Sequence, residues 1–416
     1  TVFSADGANN DLTDLTGTGN AYTVTFAEAD ATGLSAANVI AVDAKTTVDL
    51  VASNLTALAS SDLDDVNTVL SSAAGDDATI TGLTGLTKIT LADTSVAAAD
   101  LNTAITRAAA VEGDGVTTKL EIDSVATITG NMDAVTTLIA SEAARLLTDS
   151  TEGIIDQAFT INADGETISV SEANSMDATT TGIVTATLES TAVGTLATLN
   201  NANSNNKYTI AIRNADATAA TAGNLVAIDS ATSEIVDVSE VTALAGSAID
   251  DVNTVLAAGA GDGKTLNGLD GLTKITLSGE ATVAAEDLNT AITRAAAVEG
   301  EGVTTKLEID SVSKITGVYS DLSDLLDSEA ARLLTDSVAG IIDQALEVTG
   351  GGTISVANAN TLDATTTGVI TATITDTTVF SADGANNDLT DLTGTGNAYT
   401  VTFAEADATG LSAANV

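Results

Sequence analysis

The side chains in this sequence that could take part in chemistry are mainly carboxylates and their amide neighbours. They form two close clusters, which consist of Asp6, Asn10, Asp11 and Asp14 in the first and of Asp62, Asp64 and Asp65 in the second. Calcium takes six to eight oxygen ligands, and Asp and Asn on turns supply them. We therefore expect calcium at these residues, and no other cofactor. Because no loop has the EF-hand spacing, a solvated acidic face stays open as the alternative.

Catalysis is disfavoured by what the composition lacks. The chain of 416 residues has no Cys and no His, which removes thiolate nucleophiles and the usual general base near neutral pH. Paired carboxylates can hydrolyse glycosides without His. However, four Tyr, five Phe and no Trp leave little aromatic surface on which a sugar could stack. We expect that the protein is not an enzyme.

The balance of acidic and basic residues limits the classes of partner that we expect. The 13 basic and 58 acidic side chains give a formal net charge of −45, which repels the phosphates of nucleic acid. A 44% hydrophobic content argues against a disordered acidic tail. Apolar runs stay well below the roughly 20 residues that span a bilayer. We expect a folded protein with no nucleic-acid partner and no membrane span.

One asparagine recurs in six short apolar segments, at Asn38, Asn102, Asn174, Asn224, Asn289 and Asn360. A side-chain amide in a tight turn can satisfy neighbouring backbone groups. These asparagines stand beside apolar residues, which favours a structural ladder over a ligand site.

Most basic residues recur in equivalent pairs, namely Lys88 and Lys274, Arg107 and Arg294, Lys119 and Lys306, and Arg145 and Arg332. Since acidic residues greatly outnumber them, we expect each to have a local ion-pair partner. Lys119, for example, stands near Glu121 and Asp123 in one predicted strand.

The chain repeats itself at several levels. Residues 378–416 are identical to residues 1–39, so the sequence is one period of 377 residues plus the start of the next. Within the period, segments such as DDVNTVL and SEAARLLTDS occur twice. This predicts a first half-block at 1–190 with about three units, a diverged second half-block at 191–377, and the start of an identical block at 378–416. Self-similarity at a fixed period is typical of tandem arrays, and we expect the native polypeptide to contain further blocks.

Each unit shows the same order of patterns. Residues 86–91 and 119–128 alternate between apolar and polar, which predicts strands, and residues 97–110 and 132–140 have helical spacing. Strands that alternate with helices favour parallel pairing. We predict an α/β fold, a repetitive solenoid of stacked β-α-β-α coils with parallel strands and a core of small residues (Ala, Val, Ile, Leu and Thr). The alternative is a string of separate small α/β domains.

Three recurring motifs carry a resemblance to a known class. They are TGNMD at 129–133, AADLNT at 98–103, and DATTTG followed by an apolar pair and TAT at 177–187 and 363–373. In these motifs the chain resembles giant repetitive bacterial cell-surface and extracellular proteins of the cyanobacterial type, which are associated with type I secretion. The resemblance implies an extracellular location, a structural or adhesive role, and calcium-dependent folding.

The function expected from the sequence is that of a structural segment of a giant extracellular filament or cell-surface fibre, which acts as a long, stiff, acidic rod. A repetitive adhesin or extender that binds a surface or calcium is one alternative, and a surface-layer or sheath subunit is another. The expected partners are adjacent repeats of the same protein and divalent cations that bridge acidic faces.

Overall fold

A computed structural model describes residues 12, 15–17, 19–26, 33–161, 165–200, 205–213, 220–326, 330–350, 353–375 and 389–401. Within them the fold is mixed α/β, with 11 α-helices and several mostly parallel sheets. No helix in these ranges is long and apolar enough to cross a lipid bilayer.

The helices alternate with strands along the chain. They are α1 (Ala36–Asp43), α2 (Leu63–Ser72), α3 (Ala98–Val111), α4 (Met132–Thr137), α5 (Val170–Asp177), α6 (Val193–Leu196), α7 (Ala222–Ser230), α8 (Ile249–Ala258), α9 (Ala285–Val298), α10 (Tyr319–Asp324) and α11 (Val356–Asp363).

The strands are short. They are β1 (Leu50–Val51), β2 (Ala57–Ser61), β3 (Ile80–Thr81), β4 (Lys88–Leu91), β5 (Ser95–Ala97), β6 (Lys119–Glu121), β7 (Thr127–Gly130), β8 (Leu146–Thr148), β9 (Thr151–Glu152), β10 (Ala158–Ile161), β11 (Val184–Thr187), β12 (Lys207–Thr209), β13 (Val236–Asp237), β14 (Ala243–Ser247), β15 (Leu266–Asn267), β16 (Lys274–Leu277), β17 (Thr282–Ala284), β18 (Lys306–Glu308), β19 (Lys314–Gly317), β20 (Leu333–Thr335), β21 (Val338–Ala339), β22 (Ala345–Val348), β23 (Thr353–Ile354), β24 (Ile370–Ile374) and β25 (Ala398–Val401).

The chain divides into two compact units, residues 1–189 with 200–209, and residues 190–199 with 210–416. In the first unit the described strands form the sheets β1-β3, β2-β4-β6-β8-β9 and β12-β11-β10-β7-β5. In the second they form β13-β15, β14-β16-β18-β20-β21 and β17-β19-β22-β24-β23, with β25 on β24. None of these sheets closes on itself. The half-blocks predicted from the repeats stay a prediction.

Parallel pairing joins strands that are 31 residues apart at two successive places, which is about half the length of a predicted unit. Lys88 on β4 is in register with Lys119 on β6, and Ala57 on β2 is in register with Lys88. We call the segment of chain from one such partner to the next a repeat step. Within each unit, consecutive helices also pack against each other, for example α2 against α3 and α8 against α9. The predicted α/β class with mainly parallel strands is confirmed.

Helix α3 shows why these segments become helical. Ala98, Leu101, Ile105, Ala108 and Val111 recur at intervals of three or four positions, and all five are buried. Such a stripe packs one helix face against the sheets. At other helices the first free N–H groups are capped by side chains, as where Ser169 and Glu172 form a capping box at α5.

Two predicted elements differ from those observed. The run at 119–128 is two strands, β6 and β7, which belong to different sheets. Between them the chain turns, with the Val125 N–H donating to the Ile122 carbonyl at 2.9 Å. The second helix, predicted at 132–140, is α-helical only to Thr137 and continues as a π-helical turn over Leu138–Glu142.

The parallel ladder ends in an antiparallel hairpin at one place in each unit. β8 pairs with β9, and β20 pairs with β21. The turns between them, Asp149–Ser150 and Asp336–Ser337, have positive φ at both residues. Uniformly parallel pairing was therefore wrong at these two places, because a two-residue turn joins only antiparallel strands.

The core consists of small aliphatic side chains, as predicted. Nearly all buried apolar residues in the described ranges are Ala, Val, Ile or Leu, and many of them are completely inaccessible to solvent. The largest fully buried side chains are Tyr208, Phe26 and Phe159. Short strands with small side chains let neighbouring strands and helices pack closely.

Candidate functional site

The first predicted calcium cluster lies outside the described residues. Asp6, Asn10, Asp11 and Asp14 all belong to this segment. The expectation that they bind calcium therefore stays a prediction from the sequence.

The second cluster lies at the start of helix α2. Asp62 is the residue before the helix, and Asp64 and Asp65 lie in its first turn, where carboxylates are favoured by the helix dipole. Together with Asp93 and Asp100 they line an acidic cleft of about 450 Å³. Asp93 Oδ2 also accepts a hydrogen bond of 2.8 Å from the Leu63 N–H, which caps the helix from the neighbouring step.

The acidic cleft does not form a ready-made metal centre. Within the described ranges, no three carboxylates are grouped so that they could hold a metal ion. The second half of the period also differs, since Ala248 stands where Asp62 stands, and Gly279 with one additional residue, Glu280, stands where Asp93 stands in the first half. Calcium binding by Asp62, Asp64 and Asp65 stays a prediction.

Ion pairs between repeat steps occupy many of the basic side chains. Lys88 Nζ lies 2.7 Å from Glu121 Oε1, and Lys274 Nζ lies 2.8 Å from Glu308 Oε1 in the second half. The partners are 33 and 34 residues apart in sequence and lie on neighbouring parallel strands. The hydrogen bond from Lys88 helps to hold the pKa of Glu121 below its usual value. These pairs connect one step to the next.

Among the residues that the structure describes, the best-shielded ion pair is bidentate and occurs in both halves. Arg145 donates to both carboxylate oxygens of Glu112, at 2.5 and 3.2 Å, and Arg332 does the same to Glu299, at 2.5 and 3.1 Å. The Glu112 side chain is 11% exposed. Burial raises the pKa of Glu112, but hydrogen bonds from Arg145 and the Thr118 N–H outweigh this and leave the pKa below its usual value.

The predicted ion-pair role is confirmed for five of the eight paired basic residues, which are Lys88, Lys274, Lys119, Arg145 and Arg332. For Lys119 the partner is Glu152, not the predicted Glu121 or Asp123. The reason is that Glu121 already accepts from Lys88 of the preceding strand.

For the other three, the contacts found are with neutral oxygens. Arg107 donates to the Asn67 carbonyl at 2.9 Å, and Arg294 donates to the Asn253 carbonyl at 2.7 Å. Lys306 donates to the Ala331 carbonyl at 2.6 Å. These bonds also join repeat steps, since the partners are 25 to 41 residues apart.

Four of the six predicted asparagines make side-chain contacts to backbone groups further along the chain, but they lie on helices rather than in tight turns. The Nδ2 atoms of Asn102 and Asn289 each donate at 2.9 Å to a carbonyl in the first turn of the next helix, that of Ala134 or Asp321. Asn360 donates at 2.9 Å to the Asp391 carbonyl. Asn174 uses its Oδ1 atom, which accepts at 2.7 Å from the Asn200 N–H.

Two of the six predicted asparagines show a different contact. The contacts found for Asn38 and Asn224 involve their own backbone N–H groups, which donate to the helix-capping residues Ser35 and Thr221. All six lie within helices because the apolar spacing around them is helical.

The sequence analysis missed two further members of the ladder. Asn67 on α2 and Asn253 on α8 donate to the carbonyls of Asp100 and Asp287, at 3.2 and 3.1 Å. Both belong to the repeated segment DDVNTVL, so the signal was present.

The DATTTG motif also connects steps, which its sequence did not indicate. The Thr180 hydroxyl donates to the Gln157 carbonyl at 2.7 Å, and Thr366 repeats this with Gln344 at 2.6 Å. The aspartate of the motif accepts from the amide of an asparagine further along the chain. Asp177 is thereby joined to Asn206 at 2.7 Å, and Asp363 to Asn397 at 2.9 Å.

Comparison with known proteins does not assign the chain to a family. No protein-family model matches the chain, and no curated protein matches it. Among solved structures, a chain in the crystal structure of the Rad7 and Elc1 complex in yeast is similar, with 9% sequence identity, over 87% of this chain and 82% of that chain. The TM-score of 0.20 is too low to support any conclusion about fold or function.

Proposed function

We propose that this chain is a structural, non-enzymatic segment of a giant tandem-repeat extracellular filament or cell-surface fibre. In this proposal the repeat steps stack as a solenoid, the blocks follow one another along one polypeptide, and the whole acts as a long, stiff, acidic rod. The array binds mainly to itself, through contacts between adjacent repeats.

One observation carries this proposal, which is that the polar contacts that recur in both halves join neighbouring steps. The Lys88–Glu121, Arg145–Glu112 and Asn102–Ala134 contacts all join residues 32 or 33 positions apart. An enzyme would concentrate its buried polar groups around one cleft. Here they are spread along the chain and recur in both halves, as expected where each repeat is stabilised by its neighbours.

The ion pairs also support a mechanical role. Three Lys–Glu pairs, Lys88–Glu121, Lys274–Glu308 and Lys314–Glu347, each connect two parallel strands beside their main-chain hydrogen bonds. The Arg145–Glu112 pair instead joins a 3-10 turn to the end of helix α3. Bidentate Arg–carboxylate contacts fix the relative position of two groups as well as attracting them. A ladder of such contacts resists sliding between steps, which is what a stiff rod requires.

The charge supports the extracellular part of the proposal. A net charge of −45 keeps rods apart in solution. At the ionic strength of seawater the screening length is below about 10 Å, which limits the self-repulsion of the folded chain. The resemblance of the TGNMD, AADLNT and DATTTG motifs to giant surface proteins supports the same location and export by type I secretion.

Immunogold electron microscopy of intact cells that make the protein tests the proposal. The antibody is raised against the block of 377 residues, and preimmune serum is the matched control. We expect label outside the cell, at regular intervals along filaments, because each block carries the same epitopes. Label confined to the cytoplasm would contradict the proposal.

A calcium-binding extender or adhesin is the second candidate, and the acidic cleft at α2 favours it. Asp65 and Asp251 occupy equivalent places in the two copies of DDVNTVL. Asp65 shares its cleft with Asp93, whereas the second half has no aspartate at the place of Asp93. If calcium binds in this cleft, we expect Asp65→Asn to weaken calcium binding, measured by calorimetry on the full chain, and Asp251→Asn to leave it unchanged. Equal binding by the two variants would indicate a solvated acidic face.

A further inference from the structure

A buried threonine and a buried glutamine are in contact beside the hairpin at which each parallel ladder ends. The Thr148 hydroxyl, at the end of β8, donates at 3.3 Å to Gln157 Oε1, just before β10. Thr148 is 2% exposed and Gln157 is 1% exposed. A hydroxyl, which can act as a nucleophile, therefore lies against a side-chain amide in a place that water does not reach.

The amide of Gln157 is held at both of its polar atoms. Its Oε1 accepts from the Ile155 N–H at 3.1 Å, and its Nε2 donates to Asp156 Oδ1 at 2.6 Å. A backbone N–H on the carbonyl oxygen stabilises the negative charge that develops there when a nucleophile adds. A carboxylate beside the nitrogen can transfer a proton to it as it leaves. These are the contacts that acyl transfer from an amide requires.

The nucleophile and the main chain of the glutamine are also held in place. Thr148 Oγ1 donates to the Gly153 carbonyl at 3.0 Å. The main-chain carbonyl of Gln157 accepts from the Thr180 hydroxyl at 2.7 Å. Because the fold already brings the reacting groups together, the reaction avoids the entropic cost of an encounter between separate molecules.

The same arrangement recurs in the second half. The Thr335 hydroxyl donates at 3.3 Å to Gln344 Oε1, which also accepts from the Ile342 N–H at 3.2 Å. Gln344 Nε2 donates to Asp343 Oδ1 at 2.6 Å. The strands β9 and β21 of the two hairpins differ at every residue, so the contacts around the amide recur although these exposed strands do not.

We propose that Thr148 and Gln157 become joined by an ester bond, which the folded chain forms without another protein. Thr335 and Gln344 form the second bond. In the first, Thr148 Oγ1 attacks the side-chain carbonyl carbon Cδ of Gln157, and a C–O bond forms as the C–N bond breaks. The hydroxyl proton passes through Asp156 to the leaving nitrogen, which departs as ammonia. The step is an acyl transfer and needs no oxidant, reductant or cofactor.

Two conditions favour the ester once the chain has folded. The reaction takes place once in each molecule, so a slow rate is sufficient. Ammonia escapes into the solvent, and burial of both side chains keeps water from hydrolysing the bond.

The bond changes how the chain carries tension. Residues 149–156 lie between the joined side chains and contain the turn from β8 to β9. Tension along the chain passes through the ester, so this segment cannot be pulled out, whereas without the bond it could extend by up to about 30 Å. This consequence rests on the stiff rod of the proposed function, but formation of the bond does not.

Mass spectrometry of the full chain, unfolded in acid after long incubation in its folded state, tests the inference. Each ester lacks one ammonia, so we expect a mass about 34 Da below that of the unmodified sequence. Thr148→Val removes one hydroxyl at nearly constant shape and should halve the deficit to about 17 Da. Thr335→Val is the matched variant for the second site, and the double variant should have the full mass.

Thr148→Ser distinguishes a lost reaction from a lost fold, because it retains the hydroxyl. We expect it to keep the whole deficit of about 34 Da. Circular dichroism verifies that each variant is folded.

Two results would overturn the inference. One is a wild-type chain with the full mass of its sequence. The other is a deficit that persists in the double variant, since ammonia would then be lost at other residues, for example by cyclisation of asparagines. Neither result would affect the immunogold test of the proposed function, which does not depend on the ester.

Discussion

At the scale of single residues, the ionised glutamates carry the clearest energetic signature. Glu112 and Glu299 are held by Arg145 and Arg332 and have lowered pKa values. A carboxyl group whose pKa is lower in the folded than in the unfolded state adds stability above its unfolded pKa, and this stability is lost as the pH falls through the folded pKa.

We therefore expect Glu112→Gln to lower the free energy of unfolding by about 1–3 kcal/mol near pH 7, the range for a hydrogen bond to a charged group. The difference from the wild type should begin to shrink as the pH falls below the usual glutamate pKa of about 4.3, and it should vanish only below the lower pKa of Glu112 in the folded protein. Urea unfolding at a series of pH values measures it.

Two controls accompany this experiment. Glu299→Gln should behave like Glu112→Gln because its contacts are the same. Glu152→Gln removes a partner that is 61% exposed and should cost about 0.5 kcal/mol or less. If the loss of stability in Glu112→Gln did not change with pH, the proposal that Glu112 acts through its negative charge would be contradicted.

The asparagine ladder makes a second prediction. Asn102 Nδ2 donates to the Ala134 carbonyl, while Asn102 Oδ1 is buried and has no hydrogen-bond partner. Asn102→Ala should cost about 1 kcal/mol, because one hydrogen bond is lost. Asn102→Asp has nearly the same shape but places a carboxylate beside the Ala134 carbonyl oxygen. We expect it to lower the free energy of unfolding by about 3 kcal/mol.

The shift of the urea midpoint at an unchanged slope measures both variants. Asn289 offers the matched position in the second half, where the same order of effects is expected. An alanine variant as stable as the wild type would show that the amide contributes no stabilising hydrogen bond to the next helix.

The residue types that join the steps could be predicted from the sequence, but their partners could not. The spacing of Lys119 and Glu121 suggests a pair, but Lys119 pairs with Glu152 on β9, while Glu121 pairs with Lys88 on the adjacent strand β4. Likewise, four of the seven predicted calcium residues, Asp6, Asn10, Asp11 and Asp14, lie outside the described residues, and the other three begin a helix.

At the scale of elements, the hairpins at 148–151 and 335–338 interrupt the parallel ladder. Asp149 and Ser150 have φ angles of 50° and 64°. Positive φ at both central residues is the feature of type I′ turns, which usually contain Gly. An L-residue other than Gly in this region is strained by roughly 1 kcal/mol.

Ser150→Gly should therefore stabilise the protein by about 0.5 kcal/mol, because the strain relieved exceeds the extra entropy of glycine in the unfolded chain. Thermal unfolding measures the change. Ser337→Gly should stabilise by a similar amount, since its φ is 65°.

The neighbouring Thr151→Gly is the control, because Thr151 lies in a strand. It should destabilise the protein, since glycine weakens a strand. A destabilising Ser150→Gly would show that the serine side chain matters more than the backbone angle.

Some helices and strands can be predicted from the sequence more accurately than others. Helix α3 was predicted to within one residue because its apolar stripe has only one interpretation. The run at 119–128 was read as one strand, since its alternation continues through a turn at Asp123 and Ser124 that contains neither Gly nor Pro. The Asp149–Ser150 turn was missed for the same reason, because a type I′ turn without Gly leaves no signal.

At the scale of the whole molecule, periodicity is the property that the sequence reveals most directly. An identical segment at both ends establishes the block, and the polar contacts between steps recur in both halves. A string of separate small domains, the alternative from the sequence, predicts few contacts across its linkers. Stacked repeats predict that each block extends the array by the same increment.

Small-angle X-ray scattering on chains of one, two and three blocks tests this central claim most directly. We predict that the maximum dimension rises by an equal increment with each added block, and that the cross-section stays constant. If the maximum dimension instead grew with about the 0.6 power of chain length, as for flexible chains, the stiff rod would be contradicted in favour of flexibly linked domains.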